Sequence, residues 1–506
     1  MPLVPLDLKP GVFKNGTQYG GRGRWADSNL MRWKDSAIRT VGGWARRLGV
    51  DSTPIAPLFS DPSDEAPRNI AAWTALDSSR HFVVGTNRAL YHISASGAVT
   101  DISPDAFVGG PRSSGLITGY GVGAYGRQAY GTPRDGQGLT VAPAVSWSTD
   151  FWGQDLVAQF RSSGPIYSWT PNVSTELTPI PNAPQDLQSI VVTDERILLG
   201  INATDRLVIW SDSEDREQWT PDATNQAGSI RLAGNGPLIN VVKVVNTLLV
   251  LGAEDSHVGR YLGPPFIYGF ERVSASCGLV APNAVVVADK FAMWPCGRNM
   301  WRFDGAQVQQ VQSDVVDFFR RDMNMNERTK IFGFQIRDFN EIWWLYQSNS
   351  SPRGEPDSYI CYDYSQDHWT KGKLDRTVGA DRSASLATPV MVSPDGRVFN
   401  HELRGVAITS GPAPFCETAP IELSSGDVQT FVDYVYPDVE RAEDATVLFK
   451  ASDMPQAAER SYGPFSLANP TPVRVRGRQI ALRFETRSPN AAIGSVRVNV
   501  KGGGKR

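Results

Sequence analysis

Five histidines and four cysteines are the side chains in this 506-residue chain best suited to bind a metal or activate a nucleophile. His81, His92, His257, His368 and His401 stand singly, and none falls in HExxH or another spacing that turns two imidazoles onto one metal. Cys277, Cys296, Cys361 and Cys416 form no CxxC pair, and their wide separation suits buried thiols better than a disulfide framework. No GxSxG elbow and no GxxxxGK[ST] loop occurs, and the glycines of GYGVGAYG (119–126) lack a surrounding strand-to-helix unit. Carboxylates remain, and two of them suffice to hydrolyse a glycosidic bond. SPDGRVF (393–399) resembles an Asp-box turn only superficially: Asp395 and Gly396 are adjacent where that turn separates them, so an Asp-Gly hairpin is expected instead. Asp363 and Asp367 read as turn formers. The residues therefore predict no catalytic centre, no metal and no cofactor.

Composition narrows the choice further. Hydrophobic residues make up 41% and charged residues 20%, as in globular proteins, and the length exceeds what one simple core supports. A net charge of -3 argues against a chain built to grip nucleic acid by its phosphates, so any contact with DNA is expected to be weak. The opening MPLVPLDLKPGVFKNG has an acidic residue and prolines where a signal peptide carries basic and then apolar residues. No run approaches the ~18 apolar residues of a membrane helix, so no membrane-spanning segment is expected.

Candidate chemistry must be held by something, and the local pattern is strand-like. HFVVGTNRALYHIS, ERILLGINATDRLVIW, TLLVLGAEDSHVGRYLG and KFAMWPCGRNMWRFDG each read as a hairpin: an apolar run, a polar turn, then a second run ending in an aromatic. The second-run aromatics are Tyr91, Tyr167, Trp210, Tyr261, Trp301, Tyr362 and Phe399, mostly 40 to 60 residues apart. That period predicts an all-β fold with a β-propeller of six or seven blades over residues 51–415; ordinary antiparallel sheets without radial closure are the alternative. SDVVDFFRRDMN predicts a helix capped by Ser313, with Val315, Val316 and Phe319 on one face. Residues 107–138, rich in Gly and Tyr, break the repeat as an insertion, and Tyr120, Tyr125 and Tyr130 suit partner contact at a tip. Beyond residue 416 a separate β-sandwich is expected over 416–506. Its arginines Arg474, Arg476, Arg478, Arg483 and Arg487 lie either on a solvated face or against a partner.

GRGRWADSNLMRWKDSAIRTVGGW (21–44) packs three tryptophans and five basic residues before the repeat begins. Together with GYGVGAYGRQAYGTPR, IWSDSEDREQWTP, ERVSASCGLVAPNAVVVADKFAMWPCGRNMWRFDG and VRGRQIALRFETRSP, in that order, this segment resembles the tail-hub proteins of short-tailed bacteriophages. They are also called nozzle, head-closure or packaged DNA stabilisation proteins. The resemblance runs from residue 11 to about 500 and rests on soft patterns of aromatics and glycines. It implies a structural virion protein assembled in the host cytoplasm: a homo-hexameric ring on a propeller with a β-sandwich platform. Its implied partners are the portal-adaptor ring above, tail fibres or spikes, a distal needle or plug, and double-stranded DNA in transit. On that reading residues 1–50 form an interface arm in which Trp25, Trp33 and Trp44 are anchors, while Arg22, Arg24, Arg32, Lys34 and Arg39 pair with a neighbouring subunit. Otherwise the tryptophans plug the chain's own propeller. Gly42 and Gly43 would permit a tight turn before Trp44. A carbohydrate-binding or carbohydrate-cleaving propeller is the alternative from another functional class.

Overall fold

A computed structural model describes residues 3–17, 20–105, 107–118, 140–423, 428–441, 443–489 and 491–503. These residues form an all-β architecture of small antiparallel sheets, propeller-like in arrangement. Six four-stranded sheets follow one another at residues 67–101, 147–179, 189–231, 238–274, 286–311 and 332–373. A seventh, at 378–403, takes its fourth strand from the other end of the chain: β5 (Gly43–Arg46; β1 to β4 are placed below) pairs with Val398–Leu403. The first strands of successive sheets lie side by side, and Val378–Ala380 of the last lies against Pro67–Thr74 of the first, so the series closes on itself. Each of the seven aromatics that set the sequence period falls on the third strand of its own sheet. A lone four-stranded sheet cannot bury both faces, and the ring does this by packing each sheet on its neighbours.

Two larger sheets complete the fold, and the amino terminus is woven through both. β1 (Leu3–Leu6) and the hairpin β3 (Met31–Lys34) and β4 (Ala37–Thr40) join a six-stranded sheet through the long strand Ala492–Gly502. β2 (Trp25–Asn29) pairs with Phe415–Thr418 at the edge of a five-stranded sheet. The expected division of the chain at 50 and 416 is thus crossed by four strands from residues 3–40 and by β5. Asp35 and Ser36, both in the left-handed region (φ 54° and 59°), make the tight β3–β4 turn. Such a two-residue turn matches the twist of its strands.

One continuous core joins the two larger sheets to the ring. Val12, Met31, Trp33 and Ile38 pack with Trp344 and Trp369 of the sixth ring sheet and with Phe449 and Phe484 of the five-stranded sheet. The helix appears as α1 (Val316–Asp322), with Val315, Val316 and Phe319 buried as its spacing required. Its cap differs from the expectation: Val315 occupies the cap position without a side-chain bond, while the Ser313 hydroxyl accepts from the Val315 amide upstream of the helix. The SPDGRVF hairpin forms as expected, with Gly396 at φ 74°, a conformation that costs a glycine little. The four thiols are free, and three of them are buried.

Candidate interaction site

The β3–β4 hairpin carries three of the basic residues singled out in the sequence, and it forms one wall of a cleft of about 770 Å³. Loops and strands of the sixth and seventh ring sheets supply much of the rest. Six cations line the cleft: Arg32, Lys34, Arg39, Arg382, Arg404 and Arg441, against Asp35, Asp338 and Glu402.

Arg32 forms the floor and is 4% exposed. Its Nε and Nη2 donate to the two oxygens of Glu341, both at 2.9 Å, and its Nη1 and Nη2 donate to those of Glu402, both at 2.8 Å. The guanidinium also lies 3.6 Å from the centre of the Phe339 ring. Fork-to-fork pairing of this kind is the strong form of the ion pair, and it needs arginine in place of lysine. Two carboxylates share one cation, so burial, opposed by Arg32 and reinforced by Glu402, holds Glu341 above the usual carboxylate range. Trp343 Nε1 donates to Glu341 and the Gly42 amide donates to Glu402, which fixes both acids.

The backbone route past this floor explains the two glycines. A Cβ on Gly42 would stand 2.6 Å from the Glu402 Cα, and one on Gly43 would overlap the Val406 carbonyl. The sequence expected them to permit a tight turn before Trp44; the structure requires both because this segment passes against residues 402–406 at backbone contact.

Cations on the rim are less committed. Lys34 donates to the Asp338 carbonyl at 3.2 Å and sits 4.9 Å from the Phe339 ring. Arg382 pairs with Asp338 at 2.6 Å, but among the described residues Arg39 reaches only the exposed Asp35, at 3.9 Å, and Arg441 only its neighbour Glu440, at 3.6 Å. Arg404 is exposed and has no ion pair among the described residues. Exposed pairs of this kind contribute about 0–1 kcal/mol each, so the rim charges are free to exchange partners.

Other residues of the expected arm are used within the chain. Trp25 and Trp33 are 5% and 6% exposed, with ring centres 5.7 Å apart, and Trp25 meets Phe484 edge-on. Of the two placements open from the sequence, these two tryptophans take the internal one, at the seam between the ring and the larger sheets. Trp44, half-buried on β5, stacks on His401 at 5.3 Å. Arg24 pairs with Asp314, and Arg22 lies 3.4 Å from Glu422. Tyr120, Tyr125 and Tyr130 lie outside the described residues. Arg474 and Arg476 point outward from Thr471–Gly477, Arg483 lies 3.5 Å over the Phe415 ring, and Arg487 donates to the Ile408 and Gly411 carbonyls.

Sequence spacing missed one pairing. His81 and His92, eleven positions apart, meet across a hairpin with a 2.9 Å hydrogen bond between Nδ1 and Nε2. Burial, aided by His81, pushes His92 down to about 4, so the pair is neutral at pH 7. Only the register of the hairpin could have revealed it. Among the described residues no three of His, Cys, Asp and Glu gather as metal ligands would, and no helix is long and apolar enough to cross a membrane. Asp363 and Asp367 serve turns: the first accepts from the Ser365 and Gln366 amides, the second from the Tyr362 hydroxyl.

No family model and no curated protein matches the chain. Solved structures resemble it in part. A streptogramin B lyase is 11% identical with a TM-score of 0.40, covering 68% of this chain and 95% of its own. The Pan2 WD40 domain of Neurospora crassa is 11% identical with a TM-score of 0.40, covering 74% and 99%. BamB from Moraxella catarrhalis is 12% identical with a TM-score of 0.36, covering 72% and 98%.

Proposed function

We propose that the chain is a structural subunit of a homo-oligomeric ring, the tail hub or nozzle of a short-tailed bacteriophage. On this reading the seven ring sheets are blades of a propeller closed by β5, and the two larger sheets form its β-sandwich platform. The order of aromatic and glycine motifs along the sequence supports the family. One observation carries the mode of assembly: a cleft with six cations of which Arg39, Arg404 and Arg441 lack short ion pairs among the described residues. A complementary surface lies elsewhere on the same chain, since Glu214, Asp215 and Glu217 are exposed on one acidic turn of the third ring sheet. A patch that meets a different patch on the next copy makes a heterologous contact, and repetition of that contact closes a ring when the rotation allows. The cleft is thus the seat of a neighbour's acidic turn, with Arg39, Arg404 and Arg441 guiding approach and Arg32 bracing the floor. The assembled ring would stand below the portal-adaptor, meet fibres or spikes and a plug, and pass double-stranded DNA.

The carbohydrate-cleaving alternative needs two carboxyl groups facing one substrate. Glu402 reaches the cleft, but Glu341 lies beneath it, and both are held by Arg32.

A charge exchange tests the proposal. Arg404→Glu with Arg441→Glu should abolish self-association of a folded subunit, and Glu214→Lys with Glu217→Lys should do the same. A mixture of the two variants should associate again. Unchanged association of either variant would remove the cleft from assembly.

A further inference from the structure

The first strands of the first six ring sheets line a second, open cavity of about 370 Å³. A belt of hydrogen bonds crosses these strands. The Asn69 amide donates to the Trp147 carbonyl at 2.9 Å, Ser148 and Ser189 share a bond at 3.2 Å, and Ser189 bonds Asn240. Asn240 then donates to the Pro282 carbonyl at 2.6 Å, and Asn283 donates to the Arg68 carbonyl at 2.8 Å. These side chains satisfy one another, which fixes the wall.

Arg161 lines the same cavity and is 8% exposed. Its Nε donates to the Ser146 hydroxyl at 3.1 Å, its Nη1 to the Gln188 carbonyl at 2.8 Å, and its Nη2 to the Asn283 amide oxygen at 3.0 Å. All three acceptors are neutral. A guanidinium has five N–H donors, so two remain. No described carboxylate lies within ion-pair distance of Arg161, whereas buried Arg32, Arg68, Arg206 and Lys330 each have one; buried Arg376 also lacks one, but it donates to His401 and the Asp375 carbonyl and lies over the Phe399 ring, away from this cavity. Burial alone pushes Arg161 down to about 9. The cavity's one acid, Asp150, is too far to serve: Trp147 stands opposite Phe160 and Asp150 opposite Val157. That places Asp150 about four residues, or ~13 Å, along the strand from the level of Arg161. An uncompensated buried cation is costly, and proteins supply it with a counter-charge.

We propose that this cavity is a binding site for a small oxyanion, of the size of inorganic phosphate or sulfate, held by the two remaining N–H donors of Arg161. Planar two-point donation to oxygen pairs is what a guanidinium does best. The inference is independent of the assembly reading, since it concerns the centre of the ring of sheets within one chain.

The experiment uses the full chain, with inorganic phosphate and sulfate as probes and chloride at equal ionic strength as control. Titration by calorimetry, and broadening of the phosphate ³¹P line, should show saturable binding of one phosphate per chain in which sulfate competes and chloride does not. Arg161→Met should weaken it at least tenfold. Should that variant fail to fold, Asn283→Asp provides the second arm: it places a carboxylate where Arg161 already donates, and it should remove the phosphate response. Absence of saturable binding by the wild-type chain, or equal binding by Asn283→Asp, would overturn the proposal.

Discussion

Replacing Arg32 by methionine removes one cation from between two carboxylates and leaves most of its volume in place. Both acids then face each other beneath the cleft, with Trp343 and the Gly42 amide as the remaining donors. Breaking a buried ion pair by deleting one partner costs about 3–5 kcal/mol, because the surviving charge is stranded. Here two charges are stranded, so the upper part of that range is expected for Arg32→Met, read as a fall in the urea midpoint at unchanged slope. The cost must also depend on pH. Without Arg32 nothing cationic opposes the burial that already holds Glu341 above the usual carboxylate range, so its carboxyl should ionise, when folded, at a higher pH still. A folded pKa raised in this way gives stability that is present at low pH and lost as pH rises through it. The gap between variant and wild type should therefore widen from pH 5 to pH 8, by at most ~1.4 kcal/mol per unit and per proton. Adding Glu341→Gln and Glu402→Gln to Arg32→Met should recover at least half of the loss and flatten the pH dependence. A cost below about 1 kcal/mol, constant with pH, would refute the account of the floor.

Further outcomes follow from the same structure. Trp33→Ala should destabilise the isolated subunit by about 3–5 kcal/mol, measured by urea unfolding, because the ring is buried within the chain; an effect on assembly alone would contradict this. All five histidines are held below their usual value, mainly by burial, His92 at about 4. Their neutral forms are the folded ones, so stability should be level above pH 6.5 and fall as pH drops toward 4, and His92→Gln should lessen the slope of melting temperature against pH. Deleting residues 1–46 removes β5 along with β1 to β4, and should leave no cooperative melt, whereas a free arm would be dispensable. With a net charge of -3, the purified protein should bind duplex DNA only weakly at physiological salt; tight binding with a salt slope of several phosphates, each worth about 0.9, would contradict a mechanical passage.

The third-strand aromatics made the ring of sheets legible, because a hairpin's turn and its alternating apolar residues are local signals. α1 was legible for the same reason: Val315, Val316 and Phe319 share a face whatever surrounds them. The amino terminus was not, since β2, β4 and β5 are short and pair with strands from the far end of the chain, as between Trp25 and Thr418 or Arg46 and Phe399. Nothing local distinguishes a tryptophan that anchors a neighbour from one that fills the seam between two sheets. Arg32, Lys34 and Arg39 were found by their clustering, but Arg382 and Arg404 reach the cleft through the seventh ring sheet and Arg441 through the six-stranded sheet that β4 joins. Arg161 gave no sequence signal, because its meaning comes from the acids that are not beside it.

The central claim is that this subunit assembles with its own copies. Native mass spectrometry of the purified wild-type chain at near-physiological ionic strength addresses it directly. The account predicts a closed species at six times the 55.3 kDa chain mass, reduced to single subunits by Arg404→Glu with Arg441→Glu. A monomer at every concentration and salt would contradict it.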